Sequence, residues 1–131
     1  MNTARDTELL PAAGSATGYC MTVTLEIDPR DEAAFNHLYD TDHLPNMLRI
    51  PGVESVVRFR QDGVNEAGNL LYTAVYFLTG AAVVDSADWQ RHANSGQWPE
   101  FIRPKIKSRV RRGGPIVARM VRNGTASLLS D

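Results

Sequence analysis

Apolar and polar residues alternate most cleanly in YCMTVTLEI, residues 19–27. Tyr19, Met21, Val23, Leu25 and Ile27 fall on one side, and Cys20, Thr22, Thr24 and Glu26 on the other. That is the period of a half-buried strand. Asp28-Pro29 then supplies a cap and a first-turn proline, and Asp31 and Glu32 fall where a helix dipole favours acids. A helix is therefore expected to run to about Asp42. Pro45 disfavours helical geometry at Leu44, so a bend is expected there, followed by a short helix in PNMLRI. Pro51-Gly52 reads as the turn that ends it. VESVVRFRQ predicts a second strand with Val53, Ser55, Val57 and Phe59 on one face. DGVNEAGN is rich in turn formers and predicts a hairpin loop. LLYTAVYFL predicts a third strand, apolar on both faces, so that both should be covered. TGAAVVDSADWQRHAN reads as a second helix ended by Ser95-Gly96. WPEFIRP reads as a connector with one helical turn. KSRVRRGGPIVARMV predicts a fourth strand interrupted at Gly113-Gly114-Pro115 by a bulge or bend.

The order is β-α-β-β-α-β, an α+β ferredoxin-like arrangement with a four-stranded antiparallel sheet and helices on one face. The other face carries apolar residues that do not suit solvent, so a homodimer with the two sheets packed face to face is expected. Residues 1–18 are expected to form an N-terminal arm, 19–122 the folded domain and 123–131 a C-terminal tail.

At 131 residues the chain is sized for one domain with its own core. The net charge of −1 gives no field that favours nucleic acid or an anionic membrane. No apolar stretch is long enough to span a bilayer, and LLPAAG lacks the basic flank of a signal peptide. The single cysteine, Cys20, cannot form an internal disulfide and suits a cytoplasmic protein. The three histidines and one cysteine have no ligand-like spacing, so no metal is expected. No glycine-rich phosphate loop follows a strand. No nucleic-acid-binding signature is present.

Candidate chemistry concentrates in FNHLYDTDHLPNMLRIPG, residues 35–52. Tyr39 and His43 are four apart and share a helix face. Phe35 and Asn36 lie one turn earlier, and Met47 extends the line if the path continues past Pro45. Such a stripe offers apolar contact together with an imidazole whose reference pKa, about 6.5, lies near working pH. His43 and Tyr39 are thus the catalytic candidates. His43 also fits a helix-terminating residue and Tyr39 a core aromatic. Helix ends on both sides of His43 leave the direction of its pKa shift open. Asp42 is placed to orient the imidazole if the helix breaks there. Trp89 and His92 on the second helix, with Trp98, are candidates for the opposite wall. Tyr72 and Tyr76 share one strand face and line the cavity if that face meets the helices. The basic run IRPKIKSRVRR fits either an anion site or a solvated edge strand.

YDTDHLPNMLRIPGV resembles the aromatic-x-x-x-His-Leu-Pro … Pro-Gly signature of the dimeric α+β barrel superfamily, nearest to EthD-like proteins. Tyr39, His43, Pro45 and Pro51-Gly52 match; Leu38 stands where many relatives carry tryptophan and Asp42 where many carry glutamate. Trp98 with Ile102, Arg103 and Pro104 is also similar to those relatives. The resemblance spans roughly residues 19–121. It implies a pocket between helices and sheet within each subunit. It also implies a choice of chemistries, from cofactor-free monooxygenases and polyketide cyclases to isomerases and haem-binding members. The expectation is a cofactor-independent enzyme acting on an apolar or aromatic carbonyl or phenol, as cyclase, isomerase, dehydratase or monooxygenase. The alternative is a non-catalytic binding or accessory protein. A haem-binding member would need His43 or His92 as axial ligand.

Overall fold

The computed structural model describes residues 18–122, so the expected arm and tail lie outside the described residues apart from Gly18. Strands β1 (Tyr19–Ile27), β2 (Val53–Arg60), β3 (Leu70–Leu78) and β4 (Ile106–Pro115) form one antiparallel sheet in the order β2-β3-β1-β4. Helices α1 (Glu32–Leu38), α2 (Leu44–Met47) and α3 (Ala87–Ala93) cover one face. Alternation explains why that face is the inner one. Met21 lies opposite Tyr76, Val23 opposite Ala74, Leu25 opposite Tyr72 and Ile27 opposite Leu70. All eight are buried, in one cluster with Phe35, Met47, Trp89 and Trp98. On the opposite face Thr24 bonds Thr73 across the strands at 2.8 Å.

Four local expectations are corrected. In β2, the register slips between Val53 and Ser55. Val53 therefore turns inward and is buried, whereas Ser55, Val57 and Phe59 share the open face with their β3 partners. A bulge of this kind moves residues of equal parity to opposite faces. At Leu44 no bend occurs; φ −62° and ψ −44° are helical, and its N–H donates to the Tyr39 carbonyl five residues back. The segment Tyr39–His43 is one wide π-helical turn between α1 and α2, and the helical path continues through Pro45. The second helix is shorter than expected, because Ser86 is extended (φ −74°, ψ 155°) and caps α3 by accepting the Trp89 N–H at 3.1 Å. Finally, β4 runs through Gly113-Gly114 and stops at Pro115, and the irregularity in its pairing falls between Glu26 and Ile27.

Gly52 joins α2 to β2 with φ +96°, and a Cβ there would lie 2.5 Å from Val83 Cγ2. Only glycine suits both the left-handed backbone and the close approach. The Gly52 carbonyl accepts the Thr79 N–H at 2.8 Å, which fixes the segment entering α3 against the exit of the first helical layer. No helix among the described residues is long and apolar enough to cross a membrane.

Candidate functional site

An α-helix drifts by about 40° every four residues, so Tyr39, His43 and Met47 would spiral away from one another on a regular helix. The wide turn at Tyr39–His43 holds more residues per revolution and takes up that drift. All three side chains consequently line one cavity of about 550 Å³ between the helices and the β1–β4 half of the sheet.

The opposite wall comes from a second π-helical turn, Trp98–Ile102, closed by the Arg103 N–H bonding the Trp98 carbonyl. Trp98 stacks on the His43 ring, with centroids 4.2 Å apart and planes 19° from parallel. Tyr39 makes T-shaped ring contacts with both, its centroid 5.1 Å from His43 and 4.9 Å from Trp98. Asp42, next to His43 in the first wide turn, grips the second. Its Oδ2 accepts the Gln97 N–H at 2.9 Å and the Trp98 N–H at 3.2 Å. Gly96 permits that approach, since it has φ +74° and a Cβ there would lie 2.6 Å from the Asp42 carboxylate. Asp42 thus positions the indole against which the imidazole rests, rather than bonding the imidazole itself.

His43 is 7% exposed, and its Nδ1 is buried without a hydrogen-bond partner among the described residues. Burial pushes its pKa from 6.5 down to about 4; Arg103 and Arg109 add to the depression, against Asp42. The imidazole is therefore neutral near pH 7. Tyr39 and Tyr76 adjoin beneath it, and burial raises both phenols, Tyr76 well above its ordinary value. They stay protonated and can donate hydrogen bonds. Around the rim lie Gln90, Asn94 and three arginines, Arg103, Arg109 and Arg111.

Of the sequence candidates, Tyr39, His43, Met47, Tyr76, Trp89 and Trp98 meet at this cavity. Phe35, Asn36, Tyr72 and His92 do not line it. Phe35 is buried beneath Tyr39 and Tyr72, with ring centroids 5.3 and 5.0 Å away. Asn36 donates to the Tyr72 hydroxyl at 3.0 Å and accepts from Arg58 at 2.7 Å. Tyr72 donates to Glu32. These three belong to a network on the β2 side of Tyr39. His92 is half-buried on the flank of α3 away from Gln90 and Asn94, as the helical period requires.

Sequence reasoning missed Arg58, Gln90 and Asn94. Nothing in the local pattern marks them; Arg58 stands out through Asp40 and Asn36 on other elements, and Gln90 and Asn94 only through the cavity they line. The arginines of the basic run carried a signal, and the strand register decides which of them count. Arg109 and Arg111 pair with Leu25 and Val23 and so face the helices, whereas Arg112 pairs with Thr22 on the open face. Among the described residues no cluster of three or more His, Cys, Asp or Glu side chains is arranged to hold a metal.

No family model matches the chain, and no curated protein sequence matches it significantly. Solved structures do. A dimeric ferredoxin-like protein from an uncultured marine organism superposes with a TM-score of 0.61 at 13% identity, over 83% of this chain and 96% of that one. The chain has the fold of the dimeric α+β barrels. Two further proteins share this barrel-type fold. An EthD family protein from Bacillus halodurans gives a TM-score of 0.53 at 17% identity, covering 73% of this chain and 96% of that one. A candidate antibiotic biosynthesis monooxygenase from Bordetella bronchiseptica gives 0.53 at 15% identity, covering 75% and 95%. At these identities the dimeric α+β barrel likeness is one of architecture, which hosts many chemistries.

Proposed function

We propose that the protein is a cofactor-independent enzyme acting on a small apolar or aromatic carbonyl or phenolic compound, with His43 as the proton-transfer group. The observation that carries this reading is a buried imidazole, neutral near pH 7, on the wall of a cavity of about 550 Å³. That volume lies within the range of small-molecule sites. In the step envisaged, a ring nitrogen of His43 takes a proton from a C–H or O–H of the substrate, and the electron pair left behind moves to the substrate oxygen. One hydroxyl of the Tyr39–Tyr76 pair, kept protonated by burial, donates a hydrogen bond to that oxygen as its charge grows. Return of the proton to another atom completes an isomerisation or cyclisation; its loss with a leaving group gives dehydration. Trp98 and Met47 supply apolar contact. The candidate monooxygenase among the structural neighbours makes small-molecule chemistry on this architecture a reasonable starting point.

Replacing His43 with glutamine is expected to lower turnover of a converted substrate by about 10²–10⁴-fold while circular dichroism shows the protein still folded and ligand is still bound. Undiminished turnover would overturn the proposal. A second reading, a binding or accessory module using the same cavity, is favoured by the low basicity of the resting imidazole. It predicts ligand binding without turnover in the wild-type protein.

The proposal includes a cytoplasmic homodimer. The open sheet face exposes Val57 (55%), Phe59 (49%) and Val110 (44%), an apolar patch that a second copy would cover. The cavity is on the other side of the sheet and would stay accessible. Phe59→Glu is expected to give monomers in analytical ultracentrifugation. Cys20, half-buried and unpaired, suits a reducing compartment.

A further inference from the structure

Arg109 and Arg111 stand two residues apart on β4 with their side chains on the cavity side of the sheet. Among the described residues neither makes an ion pair, although both lie on the exposed edge strand where a carboxylate partner would be easy to place. Among the described residues Arg111 is oriented by weak contacts: its Nε lies 3.0 Å from Met21 Sδ, and its guanidinium stands 5.9 Å from the Trp89 ring. Arg103 adds a third cation at the same rim, its guanidinium held by Asn94 Oδ1 at 3.0 Å and the Ala93 carbonyl at 2.9 Å. Among the described residues no acidic side chain lines the cavity. Like charges gathered round a cleft without counter-charge repel one another and attract an anion. The ordinary alternative, a solvated edge strand, accounts for Lys107 and Arg112 but leaves unexplained why the inward-facing pair meets no acid.

We propose that the ligand of this cavity carries a carboxylate, held by Arg109 and Arg111 at the rim, while its aromatic or apolar body lies inward against Trp98, Met47 and His43. A carboxylate accepts parallel hydrogen bonds from guanidinium groups, which gives orientation as well as affinity. The inference rests on the reading of the cavity as a small-molecule site and names the class of molecule. A bound anion opposes the fields of Arg103 and Arg109 at His43, which rank below burial among the causes of its lowered pKa.

The test uses 2-naphthoate and its neutral counterpart 2-naphthamide, titrated against the full-length chain and followed by tryptophan fluorescence. In the wild type, naphthoate is expected to bind at least tenfold more tightly than naphthamide. In Arg109→Gln/Arg111→Gln the preference is expected to fall below twofold with naphthamide affinity unchanged, and naphthamide binding doubles as the check that the variant is folded. Arg109→Lys/Arg111→Lys should keep part of the preference. Equal binding of the two probes by the wild type would overturn the carboxylate proposal and leave the small-molecule cavity standing. A preference that survives the double glutamine variant would also overturn it. Binding of neither probe would overturn both the carboxylate proposal and the cavity reading beneath it.

Discussion

One arginine on β2 and two on β4 point towards the same helical layer from opposite edges of one sheet, and they are treated in opposite ways. On β2, Arg58 is largely buried and committed. It bonds Asp40 at 3.0 Å and Asn36 at 2.7 Å, and its guanidinium stands 4.7 Å from the Tyr39 ring centre, 5.2 Å from Tyr72 and 5.5 Å from Phe35. On β4, Arg109 and Arg111 are exposed and have no ion pair among the described residues. Arg58 is held by an ion pair, an amide and three aromatic rings from within the chain and belongs to the architecture, although its Nη1 is buried without a partner among the described residues. A cation left facing a cavity is available to something else. Tyr39 marks the boundary: one side of its ring receives Arg58, while the residue also lines the cavity.

The largest expected effect concerns the histidine beside the uncommitted cations. His43 titrates near 4 in the folded protein, against 6.5 as its ordinary value. As pH falls the unfolded chain therefore takes up the proton first. The contribution is complete above about pH 6.5 and declines as pH drops towards 4. The full loss is about 3 kcal/mol. Urea denaturation of the wild type across this window should show the decline, and His43→Gln should lack that component. Identical pH profiles would mean that the ring is neither buried nor held neutral as described.

Next comes Arg58→Ala, expected to cost about 2–3 kcal/mol through lost ring contacts, packing and charged hydrogen bonds. Equilibrium unfolding measures it. A loss under 0.5 kcal/mol, the range of an ordinary surface change, would erase the contrast between the two edges. Asp42→Ala frees the Gln97 and Trp98 amides and is expected to cost about 1–2 kcal/mol. It should also loosen Trp98 over His43, visible as a red-shifted indole emission. An unshifted spectrum would show that packing alone holds the indole. The smallest effect belongs to Arg109→Ala and Arg111→Ala, each expected within about 0.5 kcal/mol of wild type. A larger loss in either would reveal an intramolecular role for the β4 cations.

Much of the architecture was legible along the chain because a strand's period of two needs no knowledge of its neighbours. The boundaries of β1 and β3, and the element order, follow directly from YCMTVTLEI and LLYTAVYFL. The inward row Leu70–Tyr72–Ala74–Tyr76–Leu78 was visible as a row, but nothing local said which face would meet the helices. Pro45 misled for a specific reason. Its effect on Leu44 is a preference of the isolated dipeptide, and a wide turn that changes hydrogen-bond register absorbed it. The β2 bulge misled similarly, since one extra residue reverses facing without any mark in composition.

The candidate site divides along the same line. Tyr39, His43 and Met47 could be grouped from spacing because one helical path carries them. Asn36 and Tyr72 were grouped with them by the same spacing logic, and the fold drew both into the Arg58 network instead, because a long cation on a neighbouring strand reached them first. By itself, then, the sequence determined the alternation, the element order and the concentration of acid-base groups near His43. Tertiary structure alone decided which arginines face inward, what clamps the imidazole and how weak a base it becomes. Those properties depend on burial and on charges more than fifty residues away in the chain, and neither is encoded in any local period.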